Sequence, residues 1–173
     1  SEFGYKDFIP MFKAENYDPA AWVELFQDAG AKYLIFVAEH CDGFAMYDSA
    51  MTRWDASEMG PMRDTAGELR TAAKAAGMHF ALSNHRAENW WWYGVGRTYD
   101  SDVNDPKNVG LYGPAAPRAL PADSGGDGPA WSNQLENWLP PSEQFLDDWL
   151  ARVTAIVAKY QPELLYLDWW ANG

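Results

Sequence analysis

The sequence predicts an α/β fold of parallel strands with outer helices, and three observations carry that expectation. Helix-then-strand occurs three times along the chain. Each strand is a short continuous apolar run, the pattern of strands buried on both faces. Each strand also hands over to a polar cluster at its C-terminal end, where active sites of parallel α/β folds sit. A closed (β/α)8-like (TIM) barrel takes about 250 residues. The 173 residues supply only three such strands, with none at the start and nothing beyond the last. The expected organisation is therefore part of a barrel over residues 1–173, with a long loop insertion at about 88–141.

The first helix opens at Asp18-Pro19, a capping residue followed by proline at the first helical position, and carries Trp22, Leu25, Phe26 and Ala29 at helical spacing. Gly30 ends it, and a strand follows at 32–38. Thr65-Ala66-Gly67-Glu68 reads as a capping box. Leu69, Ala72, Ala73 and Ala76 continue that helix to Gly77, and the second strand runs over 79–83. The third helix opens near Ser142 and stops before Pro162, with a predicted buried stripe of Phe145, Leu146, Trp149, Leu150, Val153, Ile156 and Val157. Its strand is 164–168. Between the second and third units the chain is rich in Gly, Pro, Asp, Ser and Asn, and long connections of this kind are usually functional. The run Trp90-Trp91-Trp92-Tyr93 at its start is hard to bury all at once.

Composition narrows the function. With 25 acidic against 13 basic residues, the formal net charge is -12, which repels phosphate backbones and anionic lipid, so no nucleic-acid partner is expected. No apolar run approaches the ~18 residues of a membrane span. One cysteine, Cys41, excludes a disulfide within the chain. Ten tryptophans with little basic charge suit a neutral polyhydroxylated ligand, although they also suit an aromatic interior.

The strand ends bring Glu39-His40-Cys41-Asp42, Ser83-Asn84-His85-Arg86 and Asp168 to one edge, whereas His79 starts its strand and belongs to the opposite end. Asp168 is followed by Trp169 and Trp170, which places a carboxylate beside indole rings. His40, Cys41 and Asp42 are adjacent, while zinc ligands are typically spaced further apart, so no metal is expected. No glycine-rich turn follows a strand to hold a phosphate, and no cofactor is expected. Cysteine nucleophilic chemistry would need a base beside Cys41. Only His40 is near in sequence, and its side chain is expected to point away.

At these same residues the chain resembles the retaining α-L-fucosidase family of glycoside hydrolases. The resembling segments are Phe12-Lys13-Ala14-Glu15-Asn16-Tyr17-Asp18, Ala38-Glu39-His40-Cys41-Asp42-Gly43-Phe44 with Tyr47-Asp48-Ser49, Met59-Gly60-Pro61-Met62-Arg63-Asp64, Ser83-Asn84-His85-Arg86-Ala87-Glu88 and Leu165-Tyr166-Leu167-Asp168. The resemblance implies a (β/α)8-like domain that removes terminal α-linked L-fucose from fucosylated glycans through a covalent intermediate. It gives Asp168 the role of nucleophile and His40 that of holding sugar hydroxyls. Many members carry a second histidine where this chain has Cys41. The expected sugar-binding set is His40, Cys41, Asn84, His85 and Trp170. In the family the acid/base lies beyond the nucleophile, so it is expected outside these residues, with Glu39 and Glu88 as the strand-edge substitutes. A secreted or periplasmic location rests on the resemblance alone. Two other functions fit the same residues: a carbohydrate-binding barrel fragment without turnover, and a retaining glycosidase for another hexose.

Overall fold

The computed structural model describes residues 3–116 and 140–167. After a 3-10 helix at Tyr5–Met11, the order is α1 (Pro19–Asp28), β1 (Tyr33–Glu39), α2 (Thr65–Ala75), β2 (His79–Asn84), the one-turn helices α3 (Asn89–Trp92) and α4 (Val109–Tyr112), α5 (Glu143–Tyr160) and β3 (Leu165–Leu167). The three strands form one parallel sheet in the order β1-β2-β3. Phe36 pairs with Leu82, and Leu82 with Leu165, so the strand ends reach one edge together. The predicted strands lie where they were expected to within a residue or two, apart from Asp168, which lies outside the described residues.

Local chemistry sets the helix boundaries. The Asp18 carboxylate accepts the backbone N–H groups of Ala20 and Ala21, each at 3.1 Å, and Pro19 occupies the first helical position. Ser142 caps α5 through Phe145 N at 3.3 Å, and Gln161 ends it in the left-handed region. For α2 the cap lies one residue earlier than the sequence pattern gives. Asp64, not Thr65, accepts Gly67 N at 3.0 Å, because the Thr65 hydroxyl is taken by Met46 O at 2.6 Å. Glu68 turns to Arg63 instead of back to the helix start.

The main core lies between the sheet and its helices. Phe80 and Leu82 of β2 meet Val23 of α1, Leu69 and Ala73 of α2, and Ile156 and Tyr160 of α5. Each large apolar side chain buried there contributes about 1.5–3 kcal/mol. Two predicted stripes are rotated. In α1 the buried residue is Val23, while Trp22 and Leu25 are exposed. In α5 the buried positions are Phe145, Arg152, Ile156 and Tyr160, whereas Leu146, Leu150 and Val157 are exposed. The other sheet face shows Tyr33, Ile35, Val37 and Tyr166 as exposed.

The stretch from Glu88 onward departs from a plain loop. Its described part, up to residue 116, is a series of short helical turns whose Val103, Leu111, Tyr112 and Ala115 form a second core with Ile9, Phe44, Trp54 and Ala56. The aromatic run is accommodated because α3 directs successive rings about 100° apart. Trp91 is buried, the Trp90 ring lies 5.2 Å from that of Phe145, and the Tyr93 ring lies 4.6 Å from that of Tyr112. Residues 117–139, including the Gly-rich centre, lie outside the described part.

Candidate active site

The geometry of the sheet edge begins with an irregularity in β1. Val37 pairs with Ser83 but Glu39 pairs with Asn84, so two residues of β1 advance against one of β2. The extra residue, Ala38, is a bulge, and a one-residue slip exchanges the two faces of a strand. Strict alternation from the exposed Val37 would put Glu39 on the open face and His40 among the helices. The bulge reverses that, so Glu39 is fully buried on the helix side and His40 is exposed at the edge.

Glu39 is therefore unavailable as a substitute acid/base, and the bulge is the physical reason. Its Oε1 accepts Arg86 Nη1 at 2.9 Å and lies 3.4 Å from Arg152 Nη1 of α5, while Tyr47 donates to Oε2 at 3.4 Å. Asp148 joins the same arginines at 2.9 Å each. The resulting square of two carboxylates and two guanidinium groups ties the ends of β1 and β2 to α5. Arg152 and Asp148 escaped sequence reasoning, yet one signal was present. Arg152 falls three residues after Trp149 and four before Ile156, on the stripe that faces the core.

The two strand-end histidines meet. The rings of His40 and His85 have centroids 4.6 Å apart at 32°, and Tyr166 on β3 lies 6.5 Å from His85. Glu88 Oε1 lies 3.6 Å from His85 Nδ1. The backbone locks the pair, since His85 N donates to Glu39 O at 2.8 Å. His79 lies at the far end of β2, stacked on Tyr33 at 4.7 Å and 2.6 Å from Glu163.

Two expected sugar contacts are displaced from the surface. Cys41 is fully buried, which removes it from direct contact with a ligand. Its Sγ lies 2.9 Å from His40 Nδ1, against the expectation that these side chains diverge. The reason is the turn after β1, closed by Gly43 N donating to His40 O at 3.1 Å, where strand alternation no longer applies. Burial raises the Cys41 thiol well above its usual range, so it stays protonated and is no nucleophile. The thiol thus lies against Nδ1 and leaves Nε2 as the ring nitrogen turned away from it. Asn84 is also buried: Oδ1 accepts Arg86 N at 3.1 Å and Trp149 Nε1 of α5 at 3.2 Å. These contacts put Asn84 on the helix side, the face it inherits from Phe80 and Leu82 by strand alternation.

Asn89 holds the turn from behind. Its Nδ2 donates to Cys41 O at 2.9 Å and to Leu111 O at 3.0 Å, joining the His40 turn to α4. Gly43 has φ 82, and a Cβ there would stand 2.1 Å from Leu111 O, so both conformation and space demand glycine. Tyr5 donates to Asp42 Oδ2 at 2.5 Å and Tyr93 to Asp42 O at 3.2 Å. Asp168 and Trp170, the expected nucleophile and its aromatic neighbour, lie outside the described residues. No group of three or more His, Cys, Asp or Glu side chains placed to hold a metal ion occurs among the described residues. No described helix is long and apolar enough to cross a membrane.

Parallel strands under helices, with paired imidazoles at their C-terminal edge, define an α/β protein whose site lies where enzymes of this architecture work. Comparison with known proteins makes the assignment particular: the alpha-L-fucosidase family model matches residues 1–173, and the chain belongs to that family. Rat tissue alpha-L-fucosidase is 39% identical over 90 residues, which cover 51% of this chain and 19% of the rat protein. Alpha-L-fucosidase of Dictyostelium discoideum is 25% identical over 175 residues, covering 100% of this chain and 29% of its own length. Among solved structures, Thermotoga maritima alpha-fucosidase in complex with a mechanism-based inhibitor matches with a TM-score of 0.70 and 27% identity, over 97% of this chain and 32% of that one. The chain thus spans roughly a fifth to a third of these relatives.

Proposed function

We propose that this protein hydrolyses terminal α-L-fucosyl linkages of glycans by a retaining double displacement, with Asp168 as nucleophile, and that its three strands belong to a (β/α)8 barrel. The observation that carries the proposal is the His40–His85 pair, 4.6 Å apart at the sheet edge toward which β3 runs. In a parallel sheet, side chains leaving neighbouring strands at that edge share one cavity. Asp168 follows Leu167, the residue paired with Asn84 just before His85.

In this mechanism the Asp168 carboxylate attacks the anomeric carbon while a second carboxyl group, about 5–5.5 Å away, protonates the departing oxygen. A covalent ester forms on Asp168, and the same second group then deprotonates the water that cleaves it. With Nδ1 turned to the thiol, His40 meets a sugar hydroxyl through Nε2 from one side of the pair, and His85 contacts a neighbouring hydroxyl. Trp170 offers an indole face to the C–H side of the sugar. Cys41 and Asn84 act one layer behind. The second carboxyl group is not Glu39, whose oxygens are engaged by Arg86, Arg152 and Tyr47.

The wild-type enzyme is expected to release 4-nitrophenol from its α-L-fucoside and not from its α-D-galactoside. Asp168→Gly should abolish that turnover, and azide should restore part of it with β-fucosyl azide as product, because the anion attacks from the side the carboxylate vacated. An α-fucosyl azide would make Asp168 the acid/base instead. Fucose binding with no wild-type turnover would leave a carbohydrate-binding protein.

A further inference from the structure

We propose that Arg86 is a positioning residue for the imidazole pair, its guanidinium holding the His85 turn against the His40 turn through Glu39 and against α5 through Asp148. Chain order motivates this. Glu39 immediately precedes His40 and Arg86 immediately follows His85, so the two residues of the buried ion pair are the direct chain neighbours of the two imidazoles, of which His40 is exposed and His85 keeps 12% of its side chain exposed. The inward pair is joined at 2.9 Å, with the Glu39 side chain fully buried and the Arg86 side chain 5% exposed. Water screens such an ion pair little.

The guanidinium spans two elements at once. Nη1 meets Glu39 of β1, while Nε at 3.1 Å and Nη2 at 2.9 Å meet Asp148 of α5. Lysine retains the charge but presents a single point and cannot grip both carboxylates in a fixed plane. Arg152 reinforces the square from α5 but is not adjacent to either histidine in the chain. Backbone and amide bonds also join the turns, His85 N to Glu39 O and Asn89 Nδ2 to Cys41 O, but among these contacts the fork is the one that also anchors the His85 turn to α5, so the separation of the rings is expected to respond to it. The functional consequence rests on the proposal that His40 and His85 hold the sugar, but the geometry can be tested without it.

The test measures the nuclear Overhauser effect between the His40 and His85 rings, with the stacked Tyr33–His79 pair at the other sheet end as internal reference, together with L-fucose affinity. Arg86→Lys is expected to weaken the His40–His85 signal, leave the Tyr33–His79 signal, and reduce L-fucose affinity on the order of tenfold, the scale of one lost hydrogen bond. The charge-neutral double variant Glu39→Gln/Arg86→Met leaves no buried charge unpaired. It is expected to keep the reference signal and lose the imidazole signal. An unchanged His40–His85 signal in either folded variant overturns the proposal. Loss of both signals in both variants also overturns it, because the square would then hold the whole fold. A weakened imidazole signal with unchanged L-fucose affinity supports positioning by Arg86 and defeats the sugar-binding role of the histidines.

Discussion

At the scale of single residues, Cys41 shows how a motif position changes meaning when its side chain is buried. From the sequence, Cys41→His would be expected to preserve or improve sugar affinity by restoring an imidazole where many relatives have one. The thiol has no exposed surface, however, and its carbonyl is held by Asn89. An imidazole there must displace packed neighbours, and overpacking of this kind costs about 1–3 kcal/mol. Cys41→His is therefore expected to lower the thermal midpoint by several degrees. Cys41→Ser, which keeps a donor toward His40 Nδ1, should retain more fucose affinity than Cys41→Ala. Equal affinity in the serine and alanine variants would show that the contact with His40 Nδ1 does not support sugar binding.

At the scale of elements, the caps of α1 and α5 were legible, that of α2 was displaced by one residue, and the faces were not legible. Asp18-Pro19 and Ser142 announce their helices because the capping groups are local in sequence. The bulge at Ala38 leaves no such mark, since 33–38 is one apolar run with either register. The buried side of α5 was obscured because leucines and valines ring much of the helix. Arg152, charged but buried, was the better indicator of the inner face. The end of α5 is tied to the loop after β1 by Lys159, whose Nζ meets Asp48 Oδ2 at 2.5 Å. Lys159, then the Ser57 hydroxyl, holds the Asp48 carboxyl below its ordinary range. A depressed carboxyl contributes stability that is present above its unfolded pKa and lost as pH falls through its folded pKa. Lys159→Met should thus be less stable than wild type near neutrality by under about 1 kcal/mol, as befits a solvent-exposed pair. The two denaturation curves should converge as acid protonates Asp48. A stability gap that persists in strong acid would mean that the lysine acts through its aliphatic stem.

At the scale of the whole molecule, the sheet has two different faces and two unequal edges. One face is covered by α1, α2 and α5, and the other exposes Tyr33, Ile35, Val37 and Tyr166. In a closed barrel that second face is the interior, where bulky side chains from successive strands fill the lumen. The same closure would give β1 a neighbour on the edge away from β2. Alternate backbone N–H groups of a parallel strand point to opposite neighbours, so an edge strand leaves every second one without a partner in the sheet. Hydrogen exchange resolves this residue by residue. If the three strands belong to a barrel, both alternating sets of β1 amides should exchange slowly, nearly matching those of β2. An open sheet predicts one slow and one fast set in β1, with β2 protected throughout as the central strand. Fast exchange at alternate β1 residues in the active enzyme would defeat the barrel proposal while leaving in place the paired histidines, whose described contacts come from β1, β2, α5 and the Asn89 bonds and need no closed barrel.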